Sequence, residues 1–381
     1  MPVLNDITVL ELGGIGPVPL CGMLLADMGA RVIRVDKFGG NPLAVPGDPT
    51  QRHRESIALN LRDPDSIEAI KKIIAKADVL LEGFRPGVLE KMGLSPEALL
   101  RLNPKLVVGR MTGWGQTGLR AHTAGHDLNY LALSGVLHAM GSNDRVPAPP
   151  LNMVADYGGG AMFLAVGVLG ALLERNQSGE GQVIDVSMSD GVATLGAVFY
   201  AMQAHGLWSE NRQSNLLDGA APFYRTYETQ DHRFLAVGCI EPKFYQLFID
   251  GLGLDPKTLP GQYDRTRWPE LAEALSACIK TQTLEDWCAV FDGTDACVSP
   301  VLTLSEAPQD QHYQSRGTFS QVDGQVHPHG MPRFSRTPNR APAPAPRRLL
   351  SHWPQTRLHR PLAGAPSPPP PPRGRHARPA A

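Results

Sequence analysis

The 381-residue chain has little of what would tie it to a disulfide scaffold, a membrane or a nucleic acid. Its five cysteines, at 21, 239, 278, 288 and 297, are few and odd in number, and none stands in CxxC or Cys/His spacing. That pattern excludes a disulfide framework and a structural zinc site, and it points to a reducing compartment, expected to be the cytoplasm. The longest apolar run, AMFLAVGVLGALL over 161–173, falls short of the roughly 20 residues that a bilayer core requires, so it reads as a core helix and no membrane insertion is expected. The opening MPVLNDITVLEL carries an early acid and no cationic stretch, which does not fit a signal peptide. Acids are missing altogether from 340–381, where eight Arg stand; the preceding residues hold 28 Lys and Arg against 37 Asp and Glu. A body of that mildly acidic balance gives no electrostatic support to nucleic-acid binding.

What is present is an alternation of short β-type runs and helical patterns. ITVLEL, RVIRVD, SIALNL, DVLLEG, LVVGRMTG and QVIDVSM are separated by stretches such as LCGMLLADMG and DSIEAIKKIIAKA. Buried strands alternating with amphipathic helices predict an α/β domain whose parallel sheet is covered on both faces. The texture places a large domain over 1–200, completed by 321–339, then a linker over 201–225 and a small α+β domain over 226–320 that opens on a hairpin. From 340 the Pro/Arg-rich chain cannot bury enough apolar surface to order itself and is expected to be a disordered or aberrant tail. The turn ELGGIGPVPL is a poor dinucleotide fingerprint, because Pro19 takes the third glycine's place and Pro17 and Pro19 remove amide donors from the helix start.

Many ordered markers carry a family resemblance. They include LADMGARVIRVDK (25–37), EGFRPGVLEKMGL (82–94), RMTGWGQTG (110–118), AGHDLNYLALSGVL (124–137), NMVADYGGG (152–160), AVGCIEPKFY (236–245) and FDGTDACVSPVL (291–302). Together, over about residues 3–338, they resemble the family III CoA-transferase superfamily and, within it, the α-methylacyl-CoA racemases. The resemblance implies a Rossmann-like large domain and a small domain in an interlocked homodimer with shared active sites. It also implies a 2-methyl-branched acyl-CoA substrate, with CoA as part of the substrate and with no cofactor or metal.

Racemising a carbon next to a thioester carbonyl requires removal of a weakly acidic proton on one face and delivery of another on the opposite face, so two groups must stand in complementary protonation states. Donors must also face the enolate oxygen. His126 and Asp156 form the obvious pair, and the family's two catalytic positions fall on them, each serving one enantiomer as base. Taken alone, Gly125, His126 and Asp127 at a helix start read more readily as N-terminal capping. In the motif context they read as catalytic, with the Asp127 amide as the enolate donor and the carboxylate secondary. Gly158, Gly159 and Gly160 are expected to let a ligand approach the backbone after Asp156. The resemblance sets Glu241 against the histidine across the dimer, where it would fix the imidazole tautomer.

CoA is an anion and needs cations near the sheet edge. Lys37, Arg52, Arg54, Arg62, Arg85 and Lys91 are candidates. By resemblance the nucleotide runs over Lys37, Leu59, Asn60, Leu61 and Arg62, then Gly83, Phe84 and Arg85, and Lys91. The thioester then meets Gly125, Asp127, Leu128, Asn129 and Tyr130. Met111, Met153 and Met188 are candidates for an apolar acyl surface. Two other functions compete: a CoA-transferase using Asp156 as nucleophile, and a non-catalytic acyl-CoA-binding protein. His126 separates the first rival from the racemase, since a transferase has no use for a second acid/base.

Overall fold

A computed structural model of the chain describes residues 1–37 and 45–346. Six parallel strands, β1 (Thr8–Leu12), β2 (Arg31–Asp36), β3 (Arg54–Ala58), β4 (Val79–Glu82), β5 (Val107–Thr112) and β6 (Val183–Ser187), form one sheet in the order 3-2-1-4-5-6. The helices of this half are α1 (Pro17–Asp27), α2 (Pro64–Ile74), α3 (Val88–Lys91), α4 (Pro96–Leu102), α5 (Asp127–Leu133), α6 (Phe163–Ser178), α7 (Met188–Leu195) and α8 (Ala197–Ala204). Both faces of the sheet are buried, one beneath α1 and α6, the other beneath α2 and α4. The near-continuous apolar strands require this, because each places side chains on both faces.

The six strands match the six runs read from the sequence, with one shift. β3 begins at Arg54, ahead of SIALNL, and ends at Ala58. Asn60 stops it: the side-chain Oδ1 accepts the Arg62 N–H at 3.1 Å, and Asp63 then caps α2 by accepting from the Asp65 amide.

A second apolar cluster is built from residues between Ala221 and Ala296. It lies under an antiparallel sheet of β7 (Tyr224–Glu228), β8 (Phe234–Gly238) and, after α9 (Pro242–Gly251), α10 (Trp268–Ile279) and α11 (Leu284–Phe291), β9 (Val298–Pro300). The hairpin is where the sequence placed it; β9, three residues long, has too little pattern to be read. Beyond α12 (Gln311–Ser315) and the hairpin of β10 (Phe319–Val322) and β11 (Gln325–Pro328), the chain returns to α1.

That return corrects the start of the tail. The Arg340 N–H donates to the Asp27 carbonyl at 2.8 Å, and its guanidinium reaches the carbonyls of Gly29 and Ala30. Arg340 therefore belongs to the folded part, while the tail's residues 347–381 lie outside the described residues.

The apolar run at 161–173 is part of a longer continuous rod. A π-helical stretch, Met153–Met162, passes directly into α6, giving 26 residues of helix. Length and composition alone would let it cross a membrane. Its inner face instead packs into the core beside α1 and β5, burying Ala155, Ala161, Leu164 and Val168 completely.

Candidate active site

In an open sheet whose strand order reverses, the loops leaving the carboxyl ends of the strands splay apart and leave a crevice. The reversal here lies between β1 and β4. The loops after β1 (Gly13–Gly16), β4 (Gly83–Arg85) and β5 (Gly113–Trp114) line one cavity of about 600 Å³. Gly125, His126 and Tyr130, with Asn152, Asp156 and Tyr157, complete its lining.

The glycine turn is held from beneath by buried ions. Glu11 is fully buried between Arg34, at 2.5 Å, and Arg54, at 3.0 Å. Arg34 also donates to the Gly14 carbonyl at 3.0 Å, and Arg54 to that of Pro19 at 2.6 Å. Arg54 is thus removed from the pool of cations for CoA. A charge buried with this many partners acts as a fixed strut, since removing one partner would strand the other. Gly16 has φ +72°, and a Cβ there would stand 3.1 Å from Asp156 Oδ2. The turn therefore comes close to the carboxylate, and a side chain at Gly16 would crowd it.

His126 precedes α5, and its N–H donates to Asn129 Oδ1 at 3.0 Å. Its side chain is exposed. The amides of Asp127 and Leu128 stand in the first turn, where helix geometry supplies no acceptor. Tyr130 is buried edge-on against Trp114, with ring centroids 4.8 Å apart, and its hydroxyl donates to the Gly125 carbonyl. Burial first, then the Asp156 charge, pushes the phenol up to about 12, so it remains a donor that fixes the His126 turn.

Asp156 sits within the π-helical stretch. π-turns are rare and widen the helix locally, which re-aims side chains. Burial raises the Asp156 carboxyl above the usual carboxylate range; the Asn152 amide, 3.3 Å from Oδ2, offsets part of this, and nearby Asp127 adds to it. The triple glycine has a different job from the one expected. A Cβ on Gly159 would meet Val192 N at 2.9 Å and Met188 O at 3.0 Å, so it lets α7, not a ligand, approach the backbone.

The other sequence candidates divide clearly. Arg85 lines the cavity and is exposed, as are Lys37 after β2, Arg62 beyond β3 and Lys91 at the end of α3. Lys37, Arg62 and Arg85 follow the carboxyl ends of β2, β3 and β4, and Lys91 lies one short helix beyond β4. Leu59 and Leu61 are half-buried against the α2 core, while Asn60 is exposed. Gly83 and Phe84 join the cavity wall, and Phe84 N–H is anchored by buried Glu82 at 2.7 Å. Leu128 and Asn129 are exposed on α5. Met111 and Met188 line the cavity, but Met153, 60% exposed, does not. Glu241 is exposed before α9 and is not part of the cavity.

Arg52 must be withdrawn from the CoA-binding set. It is fully buried, with Nε and Nη2 on the Asp27 carboxylate at 2.8 and 2.5 Å and Nη1 on the Pro328 carbonyl at 2.7 Å. Its complete burial leaves no face open to a phosphate. Arg52→Ala is expected to cost about 3–5 kcal/mol by stranding buried Asp27. CoA affinity of the folded fraction should not change. Thermal melting and equilibrium binding check both; weaker binding with an unchanged Tm would restore the phosphate role.

The family model for CoA-transferase family III matches residues 4–348. The chain belongs to CoA-transferase family III. Among its relatives in family III, the alpha-methylacyl-CoA racemase of Mus musculus is 48% identical over 341 residues, covering 88% of this chain and 87% of the relative. That of Homo sapiens is 45% identical over 336 residues, with coverage of 88% and 87%. A succinyl-CoA–D-citramalate CoA-transferase from Chloroflexus aurantiacus is 31% identical over 360 residues, covering 88% of each chain. Among solved structures, a CAIB/BAIF family protein from Brucella suis superimposes with a TM-score of 0.79 at 25% identity, covering 91% of this chain and 96% of that one. The family III fold is therefore the fold of this chain.

Two contributions escape the sequence reading. Asn152 carries no signal beyond its place four residues before Asp156. The Asp127 carboxylate has a signal that was read for its amide alone: an acid followed at once by an apolar segment must find donors if it is buried.

Proposed function

We propose that the chain interconverts the (2R) and (2S) forms of 2-methylacyl-CoA thioesters. The observation that supports it best is a single cavity lined by both an imidazole, His126, and a half-buried carboxyl, Asp156, with unspent helix amides beside the imidazole. One carrier takes the proton from C2, the C–H electron pair moves into the carbonyl, and the enolate oxygen is held by the Asp127 amide. The other carrier then forms a new C–H bond on the opposite face. Burial of Asp156 favours its protonated form, which suits a group that must deliver a proton in one direction. Arg85, Lys37, Arg62 and Lys91 would carry the phosphates of CoA.

A homodimer belongs to the same reading. His126 and Glu241 are both exposed, and apolar Leu133, Leu195 and Val198 are each at least half exposed around α5, α7 and α8. A second copy would cover that surface, and Glu241 of the partner subunit would orient His126. The two separate apolar cores support a large domain (1–200 with 321–339) joined through 201–225 to a small one (226–320). Five free cysteines accord with a reducing, cytoplasmic setting.

Incubation of either enantiomer in deuterated water without any acceptor acid tests the reading. Deuterium should enter C2 as the enantiomers equilibrate. CoA transfer to an added carboxylate with no C2 exchange would instead establish the transferase reaction.

A further inference from the structure

We propose that Asp127 is a positioning residue whose carboxylate locks the turn bearing Asp156 to the turn bearing His126. The inference rests on the two-base reading above. Asp127 Oδ2 accepts the N–H groups of both Ala155 and Asp156, each at 2.8 Å. These are the third and fourth residues of the π-helical stretch, where the wide i→i+5 pattern leaves amides without an intrahelical acceptor. Asp127 supplies that acceptor from another segment. One peptide bond away is His126, so a single residue sets the position of both proton carriers.

The arrangement is expensive for a purely structural cap. Asp127 is 5% exposed, and among the described residues its second oxygen, Oδ1, has no hydrogen-bond partner. A neutral Asn or Ser would satisfy amides without burying a charge that is only half hydrogen-bonded. The charge itself reaches the site: it adds to the burial that raises the Asp156 carboxyl. The titratable groups facing Asp156 are Asp127, His126 and Tyr130, all on or beside α5, whereas the glycine turn opposite offers only backbone.

The test compares Asp127→Ala and Asp127→Asn in the full chain, by kcat, KM, Tm and the pH profile with each enantiomer. Wild-type epimerisation is the control, and its absence would count against the racemase reading, not against this one. Asp127→Ala should lower kcat about 100-fold, the scale of a small misplacement of reacting groups, with KM nearly unchanged. Asp127→Asn keeps an oxygen for both amides and should recover kcat to within about tenfold of wild type. Without the neighbouring charge, its acid limb should move to lower pH for the enantiomer that Asp156 deprotonates. An alanine variant that retains kcat within threefold overturns the proposal. If the alanine variant does not fold, an asparagine variant with an unmoved acid limb overturns it equally.

Discussion

His126→Ala should abolish epimerisation, by about 10³-fold or more, while leaving C2 exchange of one enantiomer measurable. The asymmetry follows from the two-base reading, in which each carrier serves one face of C2. A substrate whose C2 proton faces Asp156 still loses it to the carboxylate, and the same carboxyl, after exchange with solvent, returns deuterium to the same face. The label enters and the configuration stays. The opposite enantiomer presents its proton to an alanine and is silent. Exchange of both enantiomers at wild-type rates would remove His126 from the mechanism. Loss of exchange in both would mean that the histidine also holds the enolate. The fold should survive, because the side chain is exposed and α5 keeps its Asn129 cap.

Asp156→Ala should produce the mirror image, with epimerisation lost to a similar extent, about 10³-fold, and exchange confined to the other enantiomer. The wild-type pH profile adds an independent check. Burial raises the Asp156 carboxyl, so the reaction that uses it as a base should fail on an acid limb above the ordinary carboxylate value of about 3.9. That limb must be absent from the exchange of the other enantiomer, which Asp156→Ala retains, because His126 is the base there. An acid limb that persists at the same pH in the variant would assign the ionisation to another group. Thioester affinity should change little in either variant, since neither side chain is needed to neutralise phosphate. A parallel collapse of affinity would point to misfolding.

Much of this site is legible in the amino-acid sequence, for identifiable reasons. The strands can be read because parallel sheets bury both faces, so TVLEL or VLLE is mostly apolar without alternation. Their shared carboxyl edge follows from the alternation with helices, and the cavity is at that edge. Arg52 misleads because the sequence shows a cation near a strand but not its distance from Asp27, 25 residues earlier. The warning is present in kind: Glu11 in an apolar strand and Asp27 in an apolar helix must each find buried cations, and Arg34, Arg52 and Arg54 answer them. The π-helical widening leaves no trace, since NMVADYGGGAM has the composition of an ordinary helix start. Glu241, exposed and outside the cavity of its own chain, is reached through resemblance alone.

The adjacency of His126 and Asp127 has a consequence for how the gene can vary. The imidazole and the carboxylate that accepts the Asp156 amide share one peptide link, so in the two-base reading the spacing of the two carriers is written into two consecutive codons. Insertion of a single residue there is expected to turn one job away from the other. Length drift is tolerable instead in the mostly exposed stretch 141–151, which leads up to Asn152 without contributing to the clamp. The dipeptide is thus expected to tolerate a change of length poorly, and the exposed loop beside it well.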